Sequence, residues 1–220
     1  MIFKILVMSC DKNEDLWKPF HILMEKYWKN HPQIIYSTET KQNPYYTTIC
    51  RDLPIEKWTK RLWDTARQVD SKFILLMCDD VFIRDYVNQT LIEVLCGFLQ
   101  TYGGLNMEKT FDQNDTPFTD KLMIRNPNGK YKTSVMCQLF RKNVLLELTQ
   151  NLEINPWEYE KLNNGRYYSF LVSKYGDFIN WGYGNHKWFG IQKGKWCREC
   201  KEFFDKENIE VDYSIRGFID

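Results

Sequence analysis

No apolar run in this chain of 220 residues approaches the roughly 20 needed to span a bilayer, and neither sign of charge is in excess. Thirty Lys and Arg stand against 29 Asp and Glu, a formal charge of +1. An overall field that would gather nucleic acid is thereby excluded, so partners must be recognised at local sites. The apolar start, Met1 to Met8, is short and runs into Ser9-Cys-Asp-Lys-Asn-Glu-Asp15 without a small-residue cleavage pattern, which reads as a first strand rather than a secretory leader. No glycine follows that strand, so no Gly-rich phosphate loop does either. The seven cysteines are odd in number and scattered through apolar contexts, as expected of reduced thiols. Cys197-Arg-Glu-Cys200 lacks the second Cys or His pair of a zinc site; it reads as two ordinary thiols, with structural zinc as the alternative. There is no repeat, low-complexity tract or clear linker. These absences describe a cytoplasmic, single-domain protein, for which peripheral docking at the inner face of a membrane stays open.

What is present is an aromatic-rich core composition, 43% hydrophobic with 14 Phe, 13 Tyr and 8 Trp. One feature stands out. The apolar run Phe73-Ile-Leu-Leu-Met-Cys78 stops at two adjacent carboxylates, Asp79 and Asp80, then resumes as Val81-Phe-Ile83. Such a run fits a central strand buried on both faces, with the acids at its C-terminal end. Ligands of open α/β sheets bind outside the carboxyl ends of the strands, where paired carboxylates can hold a hard divalent cation that bridges substrate phosphates. Aspartates also open turns and cap helices.

The first half alternates strand-like and helix-like segments. Strands are expected at Ile2 to Met8, Gln33 to Ser37 and Lys72 to Cys78, and helices at Trp17 to Trp28 and Ile55 to Val69. This order implies right-handed crossovers and a mainly parallel central sheet with helices on both faces. A helix is expected from Asp85 to Tyr102. The stretch Asn106 to Lys132 reads as a long excursion, rich in turn residues. Then come a strand at Ser134 to Phe140, a helix at Lys142 to Asn151, and a further helix from Pro156 into Tyr175.

Three strand ends would thus deliver polar residues to one edge: Ser9-Cys10-Asp11, Thr38-Glu39-Thr40 and Asp79-Asp80. With Trp58-Thr-Lys-Arg-Leu62, Gln138-Leu-Phe-Arg141 and Asn155-Pro-Trp-Glu-Tyr-Glu160 in order behind them, the chain resembles bacterial GT-A-type glycosyltransferases, the small enzymes of capsule and cell-surface polysaccharide synthesis. The resemblance implies one Rossmann-like GT-A domain over 1–220, with a nucleotide-sugar-binding half at 1–104 and an acceptor-side half with a C-terminal loop region at 105–220. It implies transfer of a sugar from a nucleotide-diphosphate donor to a glycan or lipid-linked acceptor, with Mn2+ or Mg2+ as cofactor. By resemblance, Ser9, Cys10, Asp11 and Glu39 face the base and its sugar. Asp79 faces a donor-sugar hydroxyl and Asp80 the metal, although the acids here are adjacent, without the intervening residue of the usual pair.

Other candidates come from residue chemistry. Arg61, one turn beyond Trp58, is suited to an oxyanion, because guanidinium binds phosphate bidentately; its alternative is a solvated helix face. Glu158 and Glu160, beside Trp157 and Tyr159, are candidates for the base that takes the proton from an acceptor hydroxyl, with Glu158 preferred. Both also fit a role at a helix N-terminus. In the Gly- and Trp-rich stretch after Asn180, Lys187 and Lys193 are candidates for the diphosphate and His186 for a further metal ligand. Two alternatives remain: a nucleotidyltransferase-like enzyme, which would bring the missing Gly-rich loop, and a non-catalytic carbohydrate-binding protein.

Overall fold

The computed structural model describes residues 2–107, 113–128, 132–162, 168–173, 178–179 and 190–219. Strands β1 (Phe3–Met8), β2 (Ile34–Thr38), β3 (Thr47–Cys50) and β4 (Phe73–Cys78) form the first half of the sheet. Helices α1 (Glu14–Tyr27) and α2 (Trp58–Ala66) are its crossovers. Helix α3 (Gln89–Phe98) leads into β5 (Gly104–Asn106), then the short β6 (Thr116–Pro117) and β7 (Leu122–Ile124). Strand β8 (Cys137–Arg141), helices α4 (Lys142–Thr149) and α5 (Pro156–Lys161) and strand β9 (Phe170–Ser173) follow. A small hairpin, β10 (Ile191–Gln192) with β11 (Lys195–Trp196), and helix α6 (Arg198–Glu207) close the chain.

The main sheet has the order β3-β2-β1-β4-β8-β5-β9-β7-β6. Strands β3, β2, β1 and β4 pair in parallel, β8 runs antiparallel to both β4 and β5, and β5 pairs in parallel with β9. Alternation along the strands divides the core in two. Phe3, Ile5, Val7, Leu75 and Met77 face α1, α3 and α6, while Leu6, Met8, Ile74 and Leu76 face α2, α4 and α5. The expected α/β architecture, mainly parallel in its core with helices on both faces, is the one observed.

Three departures matter. The helix expected at Asp85 begins at Gln89, because Val81, Phe82 and Ile83 stay buried in the core before Asn88 caps it, its side chain accepting from Leu91 N–H at 3.0 Å. The helix expected to run into Tyr175 ends at Lys161, and Phe170–Ser173 is a strand inside the sheet. Phe170 and Leu171 are buried in the two opposite core layers, so an interior strand position outweighs any helical spacing. Helix α6 had no expectation. Its Phe204 packs edge-on to Phe82 and Trp196, with centroids 5.1 and 5.7 Å away.

Candidate active site at the carboxyl edge of the sheet

In register, Met8 of β1 lies opposite both Ser37 of β2 and Cys78 of β4. The residues that follow therefore emerge together at one edge. Two adjacent strand residues would point to opposite faces, but the chain turns here, with Val81 N–H donating to the Cys78 carbonyl at 3.2 Å. Asp79 turns inward, 2% exposed, and Asp80 stays half-buried. Asp79 accepts from the Ser9 hydroxyl through one oxygen and from the Asn13 amide, at 2.9 Å, through the other. Ser9 Oγ in turn accepts from Trp17 Nε1 at 2.8 Å. Burial, then the neighbouring Asp80 charge, pushes Asp79 up to about 7, against the pull of Ser9, Asn13 and Arg216. Burial likewise raises Asp80 to about 6.

Glu39, at the end of β2, bridges two partners. One carboxylate oxygen accepts Asp11 N–H at 2.5 Å, and the other pairs with Arg61. Arg61 is neither on a solvated face nor open to a phosphate: it is 2% exposed and also donates to the Ser9 carbonyl at 2.8 Å. Its guanidinium buttresses the first two strand ends from beneath. Asp11 does not cap α1, since the capping position falls on Asn13. Its carboxylate accepts the N–H groups of Thr40 and Lys41, each at 3.1 Å. Burial pushes its pKa up, but these bonds and the Thr40 hydroxyl hold it below the usual range. Cys10 between them is raised to about 11 by burial and by the charges of Asp79 and Glu39, so it is a neutral thiol. Ser9, Cys10, Asp11, Glu39, Asp79 and Asp80 thus share one cluster.

The two glutamates of α5 separate. Glu158 is exposed and closes a capping box: its N–H donates to the Asn155 side chain at 2.8 Å and its carboxylate accepts Asn155 N–H at 3.1 Å. Glu160 points back toward the sheet edge, accepting Val135 N–H at 3.0 Å and the Ser134 hydroxyl at 3.3 Å. Burial raises its pKa. Val135 O accepts the Cys78 thiol at 3.2 Å, which places Glu160 beside the end of β4. The Cys78 pKa is pushed up by burial and by the charges of Asp80, Asp79 and Glu160. Trp157 is 63% exposed, whereas Tyr159 is buried against Trp58 and unavailable for stacking on a ligand.

His186 and Lys187 lie outside the described residues. Lys193 is exposed, in a left-handed turn of the β10–β11 hairpin. The segment around that hairpin reaches the acids by other residues. Gly190, φ +108°, lies against the Asp80 carbonyl, where a Cβ would overlap the oxygen. Arg216 grips the loop after β1. Cys197 and Cys200 are buried free thiols, and Cys200 Sγ accepts Gly190 N–H at 2.9 Å. Burial pushes Cys200 up to about 12, so this pair serves packing at the start of α6. Trp17, Asn13 and Arg216 escaped the sequence reading as site residues. Asn13 lies within the Ser9–Asp15 stretch and Trp17 just beyond it, Gly190 ends the Gly-rich stretch whose glycines suit close backbone approach, and Arg216 carries no local signal.

Among the described residues no group of three or more His, Cys, Asp or Glu converges as a metal centre. Both Asp79 oxygens already accept hydrogen bonds from protein groups, whereas the Asp80 carboxylate accepts from its own backbone N–H. The set suits a hard cation that takes one protein carboxylate and completes its shell with phosphate and water, as Mg2+ commonly does.

No family model matches the chain, and no curated protein matches it. Solved structures do. S. aureus TarS aligns with 82% of this chain and 36% of its own at 10% identity, TM-score 0.54. TarS 1–349 in complex with UDP aligns over 82% and 60% at 12% identity, TM-score 0.52. TarS 1–349 in complex with UDP-GlcNAc aligns over 98% and 69% at 11% identity, TM-score 0.51. This chain therefore spans about a third of full TarS. The likeness is one of fold alone, a mixed α/β architecture around a large central sheet.

Proposed function

We propose that this protein is a nucleotide-sugar-dependent glycosyltransferase that delivers a sugar to a glycan or lipid-linked acceptor. One observation carries the reading: a buried, hydrogen-bonded Asp79 and a half-buried Asp80 turn out of β4 beside the ends of β1 and β2, at the ligand-binding edge of such a sheet. The same fold in TarS 1–349 holds UDP and UDP-GlcNAc. In this reading the cluster around Ser9, Cys10, Asp11 and Glu39 receives the nucleoside. Asp80 contacts a Mn2+ or Mg2+ ion, which when bound supplies positive charge to the leaving diphosphate. Lys193 and, outside the described residues, Lys187 and His186 are further diphosphate and metal contacts.

Glu160 is the better-placed base. Burial raises its pKa and so makes it a stronger base than an ordinary carboxylate, and it borders the Asp79–Asp80 turn, while Glu158 is engaged in capping its own helix. Exposed Trp157 on the same helix offers an aromatic face to an acceptor sugar.

The test is thermal stabilisation by nucleoside diphosphates and sugar nucleotides, with and without manganese. A rise in Tm that needs both metal and one nucleotide supports the transferase, since ligands that bind only the folded state stabilise it by mass action. Turnover of a nucleoside triphosphate with a sugar phosphate moves the assignment to a nucleotidyltransferase. Stabilisation by oligosaccharides alone moves it to a carbohydrate-binding protein.

A further inference from the structure

The last residues of the described chain return to its first loop. Arg216 forks onto Asp15, with Nε to Oδ2 at 2.7 Å and a terminal nitrogen to Oδ1 at 2.6 Å. That terminal nitrogen also donates to the Lys12 carbonyl at 2.8 Å and to Asn13 Oδ1 at 3.0 Å. The Asn13 amide nitrogen donates to Asp79 at 2.9 Å. Arg216 is thus one residue removed from Asp79, across more than 130 positions of sequence.

Proton directions along this chain of contacts follow from donor chemistry. A guanidinium has donors and no acceptor, so the Asn13 atom facing it must be the oxygen, which turns the NH2 toward Asp79. At the other end the Trp17 indole is also donor-only. Its bond to Ser9 Oγ occupies the acceptor side of that hydroxyl and leaves the O–H for Asp79. The carboxylate is held between two groups whose orientations are set by donor-only neighbours. Backbone geometry around the segment is equally constrained: Trp196 N–H donates to the Gly217 carbonyl at 3.0 Å and Ile219 N–H to the Trp196 carbonyl at 2.9 Å.

We propose that Arg216 is a positioning residue of the donor site, which orients the Asn13 amide so that the loop after β1 and Asp79 are held in the geometry that receives the nucleotide sugar. This rests on the donor-site reading given above. It makes the C-terminal segment part of that site, and it predicts that Arg216 acts through Asn13, beyond its ion pair with Asp15.

Two measurements on the full chain test it. The first follows the Asn13 side-chain amide resonances, assigned by their loss in Asn13→Ala, in wild type and in Arg216→Ala and Arg216→Lys. The second measures UDP affinity in the presence of Mn2+ for wild type, Arg216→Ala, Arg216→Lys, Asn13→Asp and the Arg216→Ala/Asn13→Ala pair with its single variants. Expected are displaced Asn13 amide resonances in Arg216→Ala, UDP binding weakened roughly 10- to 100-fold, as for other groups that orient a contacting residue, and non-additivity in the double variant. Arg216→Lys keeps the charge but loses the fork, and is expected not to restore affinity. Asn13→Asp separates orientation from anchoring: it keeps Arg216 fastened but offers Asp79 no donor, and is expected to lose affinity like Arg216→Ala. Unchanged Asn13 resonances in Arg216→Ala overturn the proposal whether or not nucleotide binds. Wild-type affinity in Asn13→Asp reduces Arg216 to an anchor and also overturns it. A wild-type protein that binds neither UDP nor UDP-GlcNAc overturns the donor-site reading itself, and this assignment with it.

Discussion

Gly190 rests on the main chain of Asp80, at φ +108° and with no room for a Cβ between it and the Asp80 carbonyl. A glycine 110 positions further along the chain thus sets how far the carboxylate turn can rise from β4. The contact joins the acidic turn to the segment that carries α6 and Arg216.

Substituting Gly190 by alanine is expected to strain the backbone by about 1–3 kcal/mol and to push the Asp79–Asp80 turn out of place. Urea unfolding should show the lost stability. Metal-dependent nucleotide binding should fall further than stability alone explains, in a variant that still melts cooperatively.

Stability should depend on pH through the acid pair. Asp79 and Asp80 titrate at about 7 and about 6 in the folded protein, against an ordinary value of 3.8. The folded state therefore binds more protons than the unfolded state between about pH 4 and 7, so stability falls as pH rises through that window and stays low above it. Without divalent cation, Asp80→Asn is expected to raise Tm more at pH 8 than at pH 4. A Tm gain that is the same at both values would remove Asp80 from this account.

Ser9→Ala is expected to leave an Asp79 oxygen and the Trp17 indole N–H without their partner in a dry site. The penalty should be about 1–3 kcal/mol for each unsatisfied group. Denaturant melts of Ser9→Ala, Trp17→Phe and the double variant check it, and the double variant should be less destabilised than the sum.

Glu160→Gln is expected to lower the rate of sugar transfer about 10²- to 10⁴-fold with nucleotide affinity nearly unchanged, the signature of a lost base. Glu158→Gln retains an oxygen for the Asn155 N–H and should transfer sugar at close to the wild-type rate. Equal losses in the two variants would return the base to an open question.

Removing metal with a chelator should leave the Cys197 and Cys200 region and the Tm of the nucleotide-free protein unaltered, because both thiols are buried with raised pKa values, Cys200 Sγ is bonded to the Gly190 backbone, and Cys197 holds the Gly190 carbonyl through its main-chain N–H. Zinc at one equivalent in the purified protein, lost together with stability, would contradict the packing role.

Much of the frame was legible in the residues. The runs Phe3–Met8, Ile34–Thr38 and Phe73–Cys78 are buried strands because their uninterrupted apolar character suits an interior parallel position, and polar residues at their ends mark where the sheet meets solvent. That local pattern was enough to gather Ser9, Asp11, Glu39, Asp79 and Asp80 at one edge. Phe170–Ser173 was not legible as a strand, since four residues carry too little periodicity to distinguish a strand from a helix; β5 and β7 on either side decided it. Spacing also left Glu158 and Glu160 equivalent, and only the return of α5 toward Val135 turned one to the sheet edge and the other to its own helix cap. Arg61 has the chemistry of a phosphate ligand, but burial beneath Glu39 and Ser9 gave it a structural task. The sequence by itself determined the class of fold and the edge at which the polar strand ends gather, because both follow from short-range apolar patterning. Only the tertiary structure decided the partners of Asp79, because Asn13, Trp17 and Arg216 reach it through contacts that no local pattern encodes.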